Sequence, residues 1–125
     1  MKLQSDPHSG AHTITGYGDG YVEINQIAYS HAVLLRSDGE ILAWPVASFD
    51  DLASAHFADM AILKPELILI GTGKRQRFPR PELLKTLIDA KIGFEVMDSQ
   101  AACRTYNILV GEGRQVLLAL IVEAP

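Results

Sequence analysis

The chain has 125 residues, of which 48% are hydrophobic and 21% are charged, as is typical of one compact globular domain. Its formal net charge of -4 argues against a general nucleic-acid-binding protein, which is usually basic. The single cysteine, Cys103, excludes an intrachain disulfide and fits a reducing compartment. The first ten residues lack the apolar core of a secretory signal, and the apolar run Val116 to Val122 is shorter than the roughly 20 residues of a membrane span. We therefore predict a cytoplasmic protein with a flexible tail at residues 1–10 and a single α/β domain at residues 11–125.

The first half of the chain predicts two β-hairpins. Strands at 13–17 and 21–24 flank a Gly-Asp-Gly turn, and strands at 32–36 and 41–44 flank a turn that contains Asp38-Gly39. Glycine and Asp-Gly supply the positive φ that such turns require. We expect a β-rich front that packs on a mixed sheet.

The rest of the chain predicts alternating helices and strands. Ser48 can cap a helix over about 49–60, and Pro81 suits the first turn of a helix whose stop is Gly93. The later segments are a strand at 67–70, an apolar stripe at Leu83, Leu84, Leu87, Ile88 and Ile92, a strand at 94–97, a helix at 99–110 and a strand at 115–122. The strand–helix–strand unit from residue 67 to 97 is expected to be parallel and right-handed, within a mixed sheet flanked by helices.

A Gly71-Thr72-Gly73 turn at the end of a strand is the first candidate site. Glycines let backbone N–H groups approach an anion closely, although this turn is neither a Rossmann fingerprint nor a P-loop. Two interpretations stay open, a tight strand-exit turn and a ligand or partner site.

A basic loop follows this turn on a protein that is acidic overall. Its cations are Lys74, Arg75, Arg77 and Arg80. Arginine binds carboxylates and phosphates in a bidentate manner, so Arg75 and Arg77 are candidate ligand or partner residues. The alternative is a solvated loop whose arginines pair with acids of the chain itself. Phe78 is predicted to anchor the loop to the core.

Two polar residues complete the candidate site. Asp98 stands between a strand and a helix, where it can cap the helix, contribute to a site beside the Gly-Thr-Gly turn, or do both. Asn107 is a polar residue in an apolar helix, and we expect it to hydrogen-bond a buried backbone group or to contribute to the site.

The sequence predicts no catalytic residues, no metal site and no cofactor. His8, His12, His31 and His56 lack metal-ligand spacing, and no nucleophile elbow is present. Cys103 is interpreted as a small buried apolar residue, because a nucleophile needs a base nearby and the second half of the chain contains no histidine.

The second half of the chain resembles a known family. The residues that carry the resemblance are Ile70-Gly71-Thr72-Gly73, Gln76-Arg77-Phe78, Pro81-Glu82, Val96-Met97-Asp98, Ala102 to Asn107 and Glu112-Gly113-Arg114. The family comprises uncharacterised bacterial and archaeal proteins related to mitochondrial complex I assembly factor three and to the adipogenesis-associated Mth-domain protein. The resemblance implies a three-layer α/β fold with a mixed central β-sheet flanked by helices and an added N-terminal β-hairpin layer. It implies no established activity for the bacterial members, and the mitochondrial relative is an assembly factor without known catalysis.

Two functions are therefore compared. The first is a non-enzymatic protein-interaction or assembly-factor-like module whose protein partner docks on the arginine loop, the Gly-Thr-Gly turn and Asp98. The second is a small-molecule or small-anion site, or an enzyme, that uses the same strand-end loop. Nucleic acid is not an expected partner, and the sequence is compatible with a monomer or a homodimer.

Overall fold

The computed structural model describes residues 11–125, so the tail predicted at residues 1–10 lies outside the described residues. The strands are β1 (Ile14–Gly18), β2 (Tyr21–Ile24), β3 (Ile27–Tyr29), β4 (Val33–Arg36), β5 (Leu42–Ala43), β6 (Leu67–Gly71), β7 (Gly93–Met97) and β8 (Val116–Leu120). The α-helices are α1 (Ser54–Ile62), α2 (Lys85–Asp89) and α3 (Ser99–Gly111), and short 3-10 turns cover Phe49–Asp51 and Pro81–Leu84.

A five-stranded mixed sheet forms the centre of the fold. Its strand order is β5-β4-β8-β6-β7, in which β6 is parallel to both β7 and β8, while β4 is antiparallel to β5 and β8. The predicted parallel unit from residue 67 to 97 is therefore confirmed. Every residue of β8 is buried, as expected for a strand that is covered on both faces.

Both faces of this sheet carry a hydrophobic core. Side chains alternate along β6, so Ile68 and Ile70 face one core and Leu69 faces the other. The first core contains buried residues of α1 and α2, namely Phe57, Met60 and Leu87. The second contains residues of α3 and of the sheet β1-β2-β3, namely Cys103, Tyr106, Ile14, Val22 and Ile24. The predicted three-layer fold with an added N-terminal β layer is thus confirmed.

Both predicted hairpins form, but a third strand in the front sheet escaped prediction. The strand β3 pairs antiparallel with β2 after a two-residue turn at Asn25 and Gln26, which adopt φ of 52° and 69°. Turns of this type usually contain glycine, and neither residue is one. The turn is held by side chains instead, since the Gln26 N–H donates to the Thr15 hydroxyl at 2.8 Å.

The predicted helix from Ser48 is interrupted. Ser48 precedes only the first 3-10 turn, and its N–H donates to Asp51 Oδ2 at 3.2 Å. Extended backbone at Ala53 then separates this turn from α1, where the Ala53 N–H donates to Nδ1 of His56 at 3.0 Å. The break turns Phe57 and Met60 onto the sheet, where both are fully buried.

The helix that follows Pro81 is also shorter than predicted. It ends at Asp89, and the left-handed position is taken by Lys91 with φ of 59°, while Gly93 is already the first residue of β7. Ile88 lies within this helix but outside the core and is 56% exposed, so its place in the predicted apolar stripe is wrong.

Asn107 joins α3 to the front sheet. Its Oδ1 accepts from the Ile14 N–H at 2.9 Å, and its Nδ2 donates to the Ile14 carbonyl at 2.7 Å. The neighbouring Tyr106 hydroxyl donates to the carbonyl of His12 at 2.9 Å. The prediction that Asn107 hydrogen-bonds a buried backbone group is confirmed.

Replacing Asn107 with alanine should lower the free energy of unfolding by about 2 kcal/mol, because both backbone groups of Ile14 lose their partner. Urea denaturation measures this change. Ile108→Ala is the matched control, since Ile108 is next in the helix and 61% exposed, and it should change stability by about 0.5 kcal/mol or less. Equal effects of the two substitutions would contradict the anchoring role.

Candidate functional site

The candidate site lies at the carboxyl ends of β6 and β7. The chain leaves β6 toward α2 on one face of the sheet and leaves β7 toward α3 on the opposite face. Strand ends whose connections diverge in this way form a topological switch point, where open α/β sheets place their ligands.

Thr72 organises the loop after β6. It is 1% exposed, and its hydroxyl donates to the Arg75 carbonyl at 2.5 Å. The Thr72 Oγ1 in turn accepts from the Arg77 N–H at 3.2 Å. The Thr72 N–H donates to the Met97 carbonyl at 2.9 Å, which ties the loop to the end of β7. Thr72 therefore acts from inside the loop and presents no group to solvent.

The two glycines are required by close contacts. A Cβ on Gly71 would lie 2.7 Å from Leu120 Cδ1 and 3.0 Å from Ser99 Oγ. Gly73 has φ of +99°, and a Cβ there would lie 2.5 Å from Glu123 Oε1. A larger residue at Gly71 would require Leu120 and Ser99 to shift, and the positive φ of Gly73 is strained for any other residue.

The N–H groups of this turn already have acceptors within the chain. The Gly73 N–H donates to Ser99 Oγ at 2.8 Å, and the Lys74 N–H donates to Glu123 Oε1 at 2.8 Å. An anion bound to this backbone would have to replace Glu123. Neither Ser99 nor Glu123 was identified from the sequence; Ser99 directly follows the recognised cap Asp98, whereas nothing in the local pattern marks Glu123.

Asp98 caps α3 as predicted, since its Oδ1 accepts from the Ala101 N–H at 2.9 Å. It also borders a cavity of about 560 Å³, within the size range of small-molecule sites. The cavity walls are the β1–β2 turn, the loop after β6, the start of α3 and the end of β8. They comprise residues 17–22, 73–74, 98–100, 103 and 120–123.

Only part of the predicted site borders this cavity. Of the seven predicted residues, those in the cavity wall are Gly73 and Asp98. Asn107 lies two turns along α3, where it is bonded to Ile14. The others, which belong to the end of β6 or to the loop outside the cavity wall, are Gly71, Thr72, Arg75 and Arg77.

The basic loop is fixed at its base and exposed at its tip. Arg77 forms an ion pair of 2.8 Å with Asp50 Oδ1, and its guanidinium lies 4.2 Å from the ring centre of Phe49. The Gln76 side chain donates to the Val96 carbonyl at 2.9 Å. The alternative interpretation, in which the arginines of the loop pair with acids of the chain itself, thus holds for Arg77.

Phe78 does not anchor the loop. It is 71% exposed, and the neighbouring Pro79 is buried in its place, so the prediction for Phe78 was wrong. Arg75 and Arg80 are also exposed, and none of the ion pairs among residues 11–125 includes them. The tip therefore presents an aromatic ring between two arginines.

Cys103 lies in the cavity wall but is 1% exposed, and burial raises the pKa of its thiol to about 12. A thiol with a raised pKa is protonated at neutral pH and is a poor nucleophile. No group of three His, Cys, Asp or Glu side chains among residues 11–125 could hold a metal ion.

The native protein should therefore react slowly with iodoacetamide at pH 8, because only the thiolate reacts and its fraction rises only as the pH approaches the raised pKa. Mass spectrometry of the alkylated protein measures the rate, with urea-unfolded protein as the reference. Alkylation of the folded chain at the unfolded rate would contradict a buried, protonated thiol.

These features define a three-layer α/β protein with a cavity at its switch point. The chain belongs to the family described as protein of unknown function DUF498/DUF598, whose pattern matches residues 14–121. A curated relative from Francisella tularensis, named 13 kDa major membrane protein, is 32% identical over 97% of this chain and 99% of its own length. The mouse NADH dehydrogenase [ubiquinone] 1 alpha subcomplex assembly factor 3 is 34% identical over 95% of this chain.

The chain spans 64% of the mouse assembly factor and 45% of the bovine one. Among solved structures, a Bordetella parapertussis protein is 44% identical with a TM-score of 0.86, covering 93% of this chain and 99% of its own. The structure titled MT938, at 17% identity and a TM-score of 0.65, covers 91% of this chain and all of its own and shows the shared fold alone. Within residues 11–125, no helix combines the length and apolarity needed to cross a membrane.

Thr72→Val should loosen the loop after β6, because the Arg77 N–H and the Arg75 carbonyl lose their shared partner at a cost of about 1–3 kcal/mol. Hydrogen exchange should show faster exchange of the Arg77 amide. Thr86→Val on the exposed face of α2 is the matched control and should leave that amide unchanged. Unchanged exchange in Thr72→Val would mean that the loop is held by other contacts.

Proposed function

We propose that the protein is a non-enzymatic interaction module of the assembly-factor type, and that its protein partner docks on the tip of the loop at residues 74–80. One observation carries the proposal: Phe78 is 71% exposed on a loop whose base is fixed by side-chain bonds. The cost of exposing a phenylalanine to water is removed when a partner covers it.

The composition of the loop tip supports a protein partner. Aromatic residues and arginine are enriched at the centres of protein–protein interfaces, where they contribute much of the binding energy. Phe78 lies between the exposed Arg75 and Arg80, so the complementary surface is an apolar pocket with an acidic rim. Because the base of the loop is fixed, docking would cost little conformational entropy.

Two further observations favour interaction over catalysis. The thiol of Cys103 is buried and its pKa is raised to about 12, so it is a poor nucleophile at neutral pH. Relatives of this chain carry the name of an assembly factor. The proposal also places the protein in the cytoplasm, which the single unpaired cysteine supports.

Affinity purification from the native host with Phe78→Ala tests the proposal. A partner recovered by the unmodified protein should be lost or reduced about tenfold, as expected for a residue at the centre of an interface. Ile88→Ala is the matched control, because Ile88 is an apolar residue that is 56% exposed on α2, and it should retain the partner. Recovery of the same partner by Phe78→Ala, or of none by any form, would contradict docking at this loop.

The partner's acidic rim is tested with the same material. Replacing Arg75 and Arg80 together with glutamine should weaken the interaction and reduce its dependence on salt, since exposed charges attract through water and are screened by ions. A salt dependence identical to that of the unmodified protein would contradict an acidic rim.

A second candidate function, binding of a small molecule at the strand edge, is favoured by the cavity beside Gly73 and Asp98. The sequence alone suggests an anion on the backbone of Gly71 to Gly73 for such a site. The cavity does not border Arg75, Arg77 or Phe78, so this function and protein docking can be tested separately.

A further inference from the structure

The chemical class of a cavity ligand can be inferred from the charges in the cavity wall. The wall contains three carboxylates and one ammonium group, which belong to Asp19, Asp98, Glu123 and Lys74. The Lys74 ammonium is 3.2 Å from Asp19 Oδ1, so the single cation of the wall is already paired. The wall as a whole is therefore negative.

The three carboxylates of the wall differ in their charged neighbours. The pKa of the Arg104 guanidinium is raised mainly by its hydrogen bond to the Tyr17 hydroxyl at 3.1 Å and to a smaller extent by the charge of Asp98, so Arg104 lies within electrostatic range of Asp98. Glu123 has a backbone partner, the Lys74 N–H, but none of the ion pairs within residues 11–125 includes it. Asp98 likewise belongs to none of these ion pairs, so among the three wall carboxylates Glu123 is the one with neither an ion pair nor Arg104 beside it.

The remaining wall is suited to the body of an organic molecule. Tyr17 and Tyr21 line one side, and the Tyr21 ring packs over Gly18, where an added Cβ would lie 2.5 Å from ring carbon Cε1. Leu120, Ile121 and Val122 contribute apolar surface from the end of β8. Aromatic faces attract cations as well as apolar groups, so the tyrosines and Glu123 favour the same kind of ligand.

We propose that this cavity binds a small organic cation, an amine with an aromatic or apolar body, whose ammonium group pairs with Glu123 while its body lies against Tyr17 and Tyr21. The inference rests on the second candidate function. It assigns a cationic ligand, whereas the Gly-Thr-Gly turn alone suggests an anionic one. An anion would meet three carboxylates, and the backbone N–H of Lys74 that could bind it is occupied by Glu123.

Three probes of one shape and different charge test the ligand class. They are 2-phenylethylamine, 2-phenylethanol and phenylacetate, titrated into the full chain near neutral pH with amide NMR as the readout. The amine should shift amides of the cavity wall and bind about tenfold more tightly than phenylacetate. Even a partly screened carboxylate attracts the cationic probe and repels the anionic one strongly enough to produce this difference in affinity. Phenylacetate binding as tightly as the amine would overturn the inference while leaving a small-molecule site in place.

Substitutions then test the residues. Glu123→Gln keeps an acceptor for the Lys74 N–H and removes the charge, so it should weaken the amine about tenfold and leave 2-phenylethanol unchanged. Glu82→Gln makes the same charge change outside the cavity and should change neither. Tyr21→Ala should weaken the binding of both probes. Because Tyr21 is 41% exposed, the substitution should leave the chain folded, and the amide spectrum of the variant checks this.

The other outcomes are decisive as well. Amine binding that is equal in Glu123→Gln and the unmodified protein would overturn the role of Glu123 and with it the inference. Shifts spread over amides outside the cavity, or no binding of any probe, would overturn the small-molecule function together with the inference. Neither result would affect docking at Phe78, which the affinity purification tests alone.

Discussion

The site depends on how closely the end of β6 approaches the start of α3 and the end of β8. Gly71 lies so close to Leu120 and Ser99 that a methyl group there would overlap both. The Ile121 N–H donates to the Gly71 carbonyl at 3.0 Å, and Ser99 Oγ, which accepts from the Gly73 N–H, donates to the Ile121 carbonyl at 2.7 Å. One serine hydroxyl thus joins three segments that are far apart in the sequence.

This junction determines where the two candidate surfaces lie. Because β6 ends in it, the following residues must turn away from the sheet at Gly73, whose positive φ directs Lys74 toward the β1–β2 turn. Thr72 then fixes the next residues from within, so Phe78 is held on the outside of the fold. The cavity and the exposed aromatic ring are consequences of the same packing constraint at two ends of one loop.

The sequence predicted those features that local patterns determine. Parallel pairing of β6 and β7 follows from two apolar strands around a helix, and the capping role of Asp98 follows from its position between strand and helix. What could not be predicted depends on contacts between distant segments. Glu123 meets the Lys74 N–H across 49 positions of the chain, and no local pattern at either residue indicates the contact.

For Phe78, a local pattern was present but predicted the wrong environment. A phenylalanine in a polar loop is usually buried, and the prediction assigned it to the core. Pro79 is buried instead, on a loop that is fixed by bonds of Thr72, Gln76 and Arg77. An exposed large apolar side chain on a well-bonded loop is thus a result of the fold, and it is informative because core packing does not explain it.

Family membership by itself carries neither candidate function, and the reason is visible in the residues. Gly71, Gly73 and Ser99 contribute to the junction, so in this chain they are explained by the fold. Phe78 contributes nothing to the core, and at position 123 a neutral amide could accept the same hydrogen bond as the carboxylate. Relatives of this chain are named as a membrane protein and as an assembly factor, and a shared fold does not by itself determine function. The two candidate functions are therefore tested at individual side chains of this chain, Phe78 and Glu123.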